Sequence, residues 1–347
     1  MDDSFVYPRD GTAANPYQTI SEAIALANDG DTIYVFSGTY NETVTINKRV
    51  SLIGGIDDKP SILSRGFEHK YLVDITTDFV KIENFVLEDP GRFITSQSGA
   101  LVHVAADNVV LEKNTISNCS LWGIYLDSSS YSTISGNIVN DTKGIYVLSS
   151  NSNLFSNNNI SNSTDAGVSM RLSKNNILYQ NYFRTSVYGI YEKSCSEINI
   201  TRNTFIKNGF HGIFTTENDN DVIQANFFRN NSISAITLDS TNCIIANNIF
   251  DRGQVGLSIQ KTGCQVYSNS FQNLSATALS TIAGSNNNMI YLNWFFKNSV
   301  NAREQGANQW DNGTIGNYLL TVILMVSVTV PIIFRLEALI GIPLVFF

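Results

Sequence analysis

The sequence predicts an all-β fold: a single-stranded right-handed parallel β-helix, a solenoid of about ten coils with about 22 residues per coil, closed by an N-terminal capping helix. Three observations carry that reading. First, the phrase Ile-x-x-Asn-x-Phe recurs at Ile200–Phe205, Ile223–Phe228, Ile245–Phe250 and Ile290–Phe295. Looser copies extend the series of anchoring asparagines to Asn84, Asn114, Asn137, Asn158, Asn181, Asn203, Asn226, Asn248, Asn269 and Asn293. After a first gap of 30, their spacings are 23, 21, 23, 22, 23, 22, 21 and 24. Second, a small residue followed by an apolar one keeps the same beat through Gly123, Gly144, Gly167, Gly189, Gly212, Ala235, Gly256 and Ala278. Third, the intervening text is short alternating runs of Ile, Val, Leu and Phe broken by Asn, Ser, Asp and Gly. That is strand and turn, not the strand-and-helix unit of a leucine-rich repeat.

The elements follow in chain order. Residues 1–31 form a cap, in which Thr19 to Asn28 reads as an amphipathic helix with Ile20, Ala23, Ile24 and Ala27 on one face. Asn28-Asp29-Gly30-Asp31 ends it, and Thr32 to Phe36 begins the first strand. Residues 32–318 are the β-helix. Stacked coils lie about 4.8 Å apart, so inward apolar residues pile into continuous columns. Asparagine suits a turn because it tolerates left-handed backbone, and stacked asparagines can hydrogen-bond from coil to coil. The repeated glycine permits a tight corner. Residues 319–347 form a hydrophobic tail. Leu319 to Phe334 carries no charge, and apolar text resumes after Arg335 and Glu337. Sixteen residues fall short of the roughly 20 that span a bilayer, but both parts together suffice if Arg335 snorkels. A membrane anchor is the preferred reading; a buried end-cap near Trp310 is the alternative.

Composition narrows the function. Charged residues are 15% of the 347 and the net charge is −8, so there is no basic footprint for nucleic acid. Asparagine occurs 41 times, yet 43% hydrophobic content argues against disorder. Cys119, Cys195, Cys243 and Cys264 lie far apart, and His69, His103 and His211 do not cluster, so no metal-ligand spacing is present. Calcium stays open without a motif that calls for it. No apolar signal segment opens the chain, so the protein stays inside or its signal has been removed.

The opening text resembles pectin-lyase-like β-helices through Asn15-Pro16-Tyr17-Gln18-Thr19-Ile20, Gly30-Asp31-Thr32-Ile33, Gly38-Thr39-Tyr40-Asn41-Glu42 and Leu52-Ile53-Gly54-Gly55. The later coils resemble the carbohydrate-binding and sugar-hydrolase repeat family, including NosD-type proteins of archaeal surfaces. Asn308-Gln309-Trp310-Asp311-Asn312-Gly313 through Gly316-Asn317-Tyr318 looks like that domain's end. The resemblance spans about residues 10 to 318. It implies a fold that hosts many chemistries. After Tyr318 the text departs from the family, which puts the natural C-terminus in doubt.

The search for chemistry gives few enzyme signatures. Gly38–Glu42 matches the first pectin-esterase motif, but the later ones are missing. Gly209-Phe210-His211-Gly212 only brushes against the polygalacturonase Gly-His-Gly, and the Asp-Pro-His of alginate epimerases is absent. Two carboxyl groups for glycoside cleavage would be Glu217 and Asp239, at nearly matched positions on neighbouring coils. Glu192 stands in a column counted as inward, between Met170 and Thr215. If buried, its carboxyl is a candidate general acid; the preferred reading is that the strand ends early and turns it to water.

An outward column reads Tyr125, Tyr146, Ser169, Tyr191, Phe214, Thr237 and Ser258, with Trp122, Tyr188 and His211 beside it. Such aromatics offer flat faces to sugar rings and polar edges to hydroxyls. Equally, aromatics suit strands and pack on each other between coils. Cys243 and Cys264 stack on adjacent coils; two buried thiols are favoured over a disulfide. Asn-x-Ser/Thr at Asn41, Asn118, Asn140, Asn159, Asn162, Asn199, Asn230, Asn273 and Asn312 matters only if the protein is exported. The expected function is an exported or surface-attached module that holds polysaccharide or glycan along its aromatic face. A polysaccharide-cleaving hydrolase or lyase is the second reading, and a NosD-type periplasmic copper accessory protein the third.

Overall fold

The structure, a computed structural model, describes residues 9–63, 68–90 and 98–319 and the backbone of 334–335. It is an all-β parallel β-solenoid of about 12 turns at ~23 residues per turn, with a short helix near the N-terminus. Two coils precede the first anchoring asparagine, because strands Thr32–Val35 and Ser51–Gly54 lie ahead of Lys81–Glu83. The chain divides into two compact units, Met1–Tyr182 and Phe183–Phe347.

The helix runs Ile20–Leu26 and buries Ile20 and Ile24. Thr19 caps it, its hydroxyl accepting from the Glu22 amide at 3.0 Å. Glu42 reaches the same end, where its carboxylate accepts from the amides of Ile20 at 2.8 Å and Ser21 at 3.0 Å. The acid of the Gly38–Glu42 motif therefore fastens the cap to the first coil; a carboxylate suits a helix N-terminus, where amides lack partners.

In the first unit, parallel pairing joins Thr32–Val35 to Ser51–Gly54, then Lys81–Glu83, Val110–Glu112, Thr133–Ser135, Leu154–Ser156 and Ile177–Tyr179. Leu52, Ile82, Leu111, Ile134, Phe155 and Leu178 share one buried inward column. Ile116, Val139 and Ile160 form another. The second unit repeats the plan with Ile200, Ile223, Ile245, Val266 and Ile290. Its second column is aromatic: Phe183, Phe205, Phe228, Phe250, Phe271 and Phe295 stack with centroids 4.9, 4.7, 5.1, 4.5 and 5.1 Å apart. Strand spacing sets that distance, so one phenylalanine per coil gives stacked rings without further design.

The asparagine ladder has the expected coil-to-coil hydrogen bonds. Asn226 Oδ1 accepts from the Asn203 backbone amide at 2.7 Å and from Asn203 Nδ2 at 3.1 Å. Asn226 Nδ2 donates to Ile200 O at 2.8 Å and to Asn248 Oδ1 at 3.1 Å. The same scheme runs Asn114–Asn137–Asn158–Asn181 in the first unit. Two details differ from expectation. The left-handed residue is generally the one before the asparagine: Lys113, Asn157, Arg202, Ala225, Asn247, Ser268 and Leu292 all have φ between 54 and 58°. Asparagine holds the rung because its amide both donates and accepts in a buried corner, not because it tolerates the turn. Asn84, moreover, is itself the left-handed residue, at φ 64°, and Phe85 stands at the rung, donating its amide to Asn114 Oδ1 at 2.9 Å.

In the glycine column Gly144 has the positive φ that suits a tight corner, 103°, whereas the constraint at Gly212 is a different one. At Gly212 a Cβ would stand 2.6 Å from Ala235 O and 2.8 Å from the Phe228 ring. Close approach of the next coil, rather than a left-handed corner, excludes a side chain there.

The predicted tail lies outside the described residues, apart from Leu319, which ends the strand Asn317–Leu319, and Phe334–Arg335, whose backbone pairs with Asn317 and Tyr318. Among the described residues no helix is long and apolar enough to cross a membrane.

Candidate functional site

Each unit carries its own outward aromatic face. In the first, parallel register aligns Asp74, His103, Tyr125, Tyr146 and Ser169 on one column and Tyr71, Ala100 and Trp122 on the next. The period of two turns the first column away from Ile124 and Leu126, which point into the core; Trp122 joins the outer face because alternation breaks at Gly123, where a Cβ would meet Val139 and Ile116 inside. The rings pack closely. Tyr71 lies on His103 with centroids 3.9 Å apart and planes 7° from parallel. Trp122 stacks on Tyr146 at 4.8 Å, and Tyr125 tilts between His103 and Tyr146 at 5.2 Å from each. Trp122 is 8% exposed and Tyr125 6%, so they form the floor, while the half-buried Tyr71, Tyr146 and Leu148 form the upper surface.

His103 is the polar centre of that face. Asp74 Oδ1 lies 2.7 Å from His103 Nδ1. Nε2 is buried without a hydrogen-bond partner, with Asp127 Oδ2 at 3.9 Å. Burial, then the adjacent Asp127 carboxylate that its phenol hydrogen-bonds, pushes the Tyr125 hydroxyl well above the ordinary tyrosine range. Burial also raises Tyr146, with Arg171 acting against it and Asp127 and Asp165 with it. Two ammonium groups border the rings: Lys70 Nζ 4.7 Å over Tyr71 and Lys143 Nζ 5.8 Å over Trp122.

In the second unit Tyr191, Phe214, Thr237 and Ser258 share one outward column, and Tyr188, His211, Ser234 and Val255 the next. Tyr191 stacks on Phe214 at 5.7 Å, and Tyr188 on His211 at 5.7 Å, with the exposed Phe210 5.6 Å from Tyr188. His211 Nδ1 is 2.7 Å from Ser234 Oγ and 3.3 Å from Thr237 Oγ1. Burial lowers the His211 pKa to about 4, which leaves the ring neutral at ordinary pH. All seven aromatic-face residues named from sequence (Trp122, Tyr125, Tyr146, Tyr188, Tyr191, His211 and Phe214) therefore stand on outward columns.

The carboxylates do not assemble a cleavage pair. Thr216, not Glu217, is opposite Asp239; the register slips between Thr216 and Asn218, and Glu217 is the bulged residue at φ 58°. Glu217 Oε1 faces Lys193 at 3.8 Å, and Asp239 faces Lys261 at 3.2 Å. Glu192 corrects the preferred reading from sequence. The strand Tyr188–Lys193 continues past it, so Glu192 points inward and is 0% exposed. Its Oε2 accepts from Asn218 Nδ2 at 3.0 Å, and the same amide donates to Asp221 Oδ2 at 3.1 Å. Oε1 has no hydrogen-bond partner. Burial, then the Asp221 charge, raises the Glu192 pKa well above the ordinary glutamate value, and burial raises Asp221 to about 7. A group so enclosed cannot touch a glycan; its role is inside the solenoid.

The thiols fit the buried reading. Cys243 and Cys264 are free and buried, Cys243 Sγ lying 3.3 Å from Thr241 O and Cys264 Sγ 3.5 Å from Ser240 O. Among the described residues no three His, Cys, Asp or Glu side chains gather in a way that would hold a metal ion. Two concavities are lined by none of the aromatic-face residues. One of about 400 Å³ sits between helix and first coil near Tyr17, Ile20 and Tyr34; the other, about 460 Å³, is lined by Asp89, Cys119 and Asp141.

Sequence counting missed Tyr71, Asp74 and His103. Their coils carry Leu72 and Leu101 where later coils carry the small anchor, so the beat that locates the column starts only at Gly123.

Comparison with known proteins agrees with this geometry. Residues 73–227 match the family described as right handed beta helix region, and residues 184–321 match periplasmic copper-binding protein (NosD). No curated protein sequence matches the chain. Among solved structures, the Azotobacter vinelandii mannuronan C-5 epimerase AlgE6 A-module is similar with a TM-score of 0.71 at 14% identity, over 83% of this chain and 93% of that one. A Yersinia enterocolitica family 28 exopolygalacturonase gives 0.66 at 12%, over 84% and 75%. The surface adhesin PfbA of Streptococcus pneumoniae gives 0.56 at 13%, over 81% and 86%. At these identities the likeness is one of fold. Among the described residues of 184–321, His211 Nδ1 lies 2.7 Å from Ser234 Oγ, and Cys195, Cys243 and Cys264 are buried in the core.

Proposed function

We propose, for a chain that is a pectin-lyase-like right-handed parallel β-helix, that its outward aromatic faces bind polysaccharide or glycan. The observation that carries this reading is the face of Tyr71, His103, Trp122, Tyr125 and Tyr146. It sets the half-buried rings of Tyr71 and Tyr146 over a closely packed floor of His103, Trp122 and Tyr125. Sugar rings present C–H faces that pack on such rings and hydroxyls that meet the polar edges of the half-buried tyrosines. Folds of this kind serve an epimerase, a polygalacturonase and an adhesin, which makes a glycan ligand natural without fixing which one. A location outside the cell or at its surface goes with the reading.

Binding is favoured over cleavage because Glu192 is enclosed and because Glu217 and Asp239 are out of register, each facing a lysine. The test uses the full chain on a polysaccharide array, with polymer length followed over time. Retained polymer of unchanged length, lost by about tenfold in Tyr71→Ala or Tyr191→Ala, is the expected result. Shortening of the polymer would make the protein an enzyme; no retention of any polysaccharide would sink the proposal.

A further inference from the structure

A second internal ladder runs through the residue that precedes each strand of the twelve-stranded sheet, and in the second unit sulfur interrupts it. In the first unit that position holds Ser132, Asn153 and Asn176. The Ser132 amide donates to Asn153 Oδ1 at 2.8 Å, and the Asn153 amide to Asn176 Oδ1 at 2.9 Å. In the second unit it holds Ile198, Asp221, Cys243, Cys264 and Asn288. The Ile198 amide donates to Asp221 Oδ1 at 3.0 Å, and the Cys264 amide to Asn288 Oδ1 at 2.8 Å. Between them, the amides of Asp221 and Cys243 have only the sulfurs of Cys243 and Cys264 as side-chain acceptors. Sulfur accepts weakly, so these are the poorest joints of the ladder.

The geometry of the pair suits a covalent bond. Ile244 is the register partner of Gln265, and the Gln265 amide donates to Cys243 O at 2.8 Å, so Cys243 and Cys264 stand at matched positions one coil apart. Strand spacing puts their Cα atoms about 4.8 Å apart, inside the roughly 4.4–6.8 Å that a disulfide spans. Both side chains are fully buried, and the two thiols are hydrogen-bonded to each other. The other cysteines are placed differently: Cys195 has Asn218 on the next coil, whose Oδ1 takes its amide at 2.9 Å, and Cys119 lies in the first unit.

We propose that Cys243 and Cys264 are a site of oxidative modification, joined as a disulfide when the chain folds in an oxidising compartment, so that one rung of the ladder becomes covalent. The step is thiol–disulfide exchange. One sulfur attacks a small disulfide such as oxidised glutathione, forms a mixed disulfide and releases one thiol. The second sulfur displaces the other half and closes the Sγ–Sγ bond. The two cysteine protons go to the two leaving thiolates, and the two electrons given up by the cysteines reduce the small disulfide. Both sulfurs are sealed in the finished solenoid, so exchange precedes closure of these coils. Surroundings outside a cell supply such an oxidant. The joint forms whether or not the aromatic faces hold glycan.

The test refolds the full chain from urea either with oxidised and reduced glutathione or with excess dithiothreitol, then alkylates it in denaturant and weighs it. Of the four cysteines, two should escape alkylation after oxidative refolding and none after reductive refolding. Peptide mapping should join the peptides that carry Cys243 and Cys264. Urea unfolding of the oxidised protein should have the higher midpoint, since a closed loop restrains the unfolded chain. The double variant Cys119→Ala/Cys195→Ala should keep the bond, and Cys264→Ser should lose it. Four alkylated cysteines after oxidative refolding of the wild type, or bonds that map to Cys119 or Cys195, would overturn the assignment. A bond that forms without raising the midpoint would overturn its part as a joint.

Discussion

Replacing Glu192 by glutamine should change how the stability of this protein depends on pH, and the direction follows from its surroundings. The native carboxyl is fully enclosed, raised by burial and by Asp221, and so holds a proton that an unfolded chain releases above its ordinary value of 4.5. Unfolding in that window releases a proton. Stability is therefore greatest below it and falls as pH rises, by about 1.4 kcal/mol per pH unit for one such group. Asp221, raised from 3.8 to about 7, adds a second slope of the same sign. Glutamine removes one of the two. The variant should therefore gain on the wild type as pH rises above 4.5, at no more than about 1.4 kcal/mol per pH unit, less about 1 kcal/mol because its amide replaces an oxygen that already lacked a partner. Near pH 4 that advantage disappears and the wild type should be equal or better. The assay is urea unfolding across pH, followed by tryptophan emission, since Trp294 and Trp310 lie in the same unit as Glu192. Carboxylates with lowered values, such as Glu83 held by Lys81 and Lys113, impose an opposite slope at acid pH, but they are common to both proteins and cancel in the difference. Parallel stability curves for the two proteins between about pH 4.5 and pH 6.5 would refute the assignment of a buried proton to Glu192.

Four further outcomes are expected. Asn226→Ala should cost at least about 3 kcal/mol in urea unfolding, because it strips acceptors from the Asn203 amides and donors from Ile200 O and Asn248 at once. Phe228→Ala, which removes one ring from between Phe205 and Phe250, should cost about 3–5 kcal/mol, and Phe228→Leu far less. Glu42→Ala should leave the amides of Ile20 and Ser21 without their acceptor, speeding hydrogen exchange in the helix Ile20–Leu26 and costing about 1 kcal/mol. Nuclear magnetic resonance of the His211 ring should show titration near about 4, with its shifts flat from about pH 5.5 to pH 8.

What could be read in the sequence was what repeats. The Ile-x-x-Asn-x-Phe phrase located both the inward isoleucine column and the phenylalanine stack, because strand spacing turns any once-per-coil residue into a column. The outward aromatics followed from the same count. The ladder was foreseen and the asparagines form it; only the left-handed backbone expected of them lies elsewhere, at the preceding residue, where Ala225 and Leu292 fill it without any signature. Asn84 shows the hazard, since the letter matches while the position is one residue off. His103, Asp74 and Tyr71 could not be placed, because their coils lack the small anchor that sets the count. Glu192 was misdirected for a local reason. A charged letter in an apolar column argues for an early strand end, and only the distant Asn218, bridging it to Asp221, makes the buried position tenable. Glu42 was noticed within a motif, yet its role as a cap for the helix depends on a contact 22 residues back in the chain.

The ladder also sets which changes of length the protein can absorb. Every rung presents the same oxygen backward and the same nitrogens to its neighbours, so Asn203 would find in Asn248 the partner it now has in Asn226. A gene could therefore gain or lose one whole coil by slippage between like segments and still code for matching joints. Within a coil the tolerance is uneven. The six residues from isoleucine to phenylalanine keep their count at Ile200, Ile223, Ile245 and Ile290, while the asparagines from Asn203 to Asn293 stand 23, 22, 21 and 24 apart. All of that variation falls in the stretch after each phenylalanine. Insertions and deletions should accumulate in that stretch among descendants of this chain, beside the outward faces. The same drift that spares the scaffold would thus reshape whatever those faces hold.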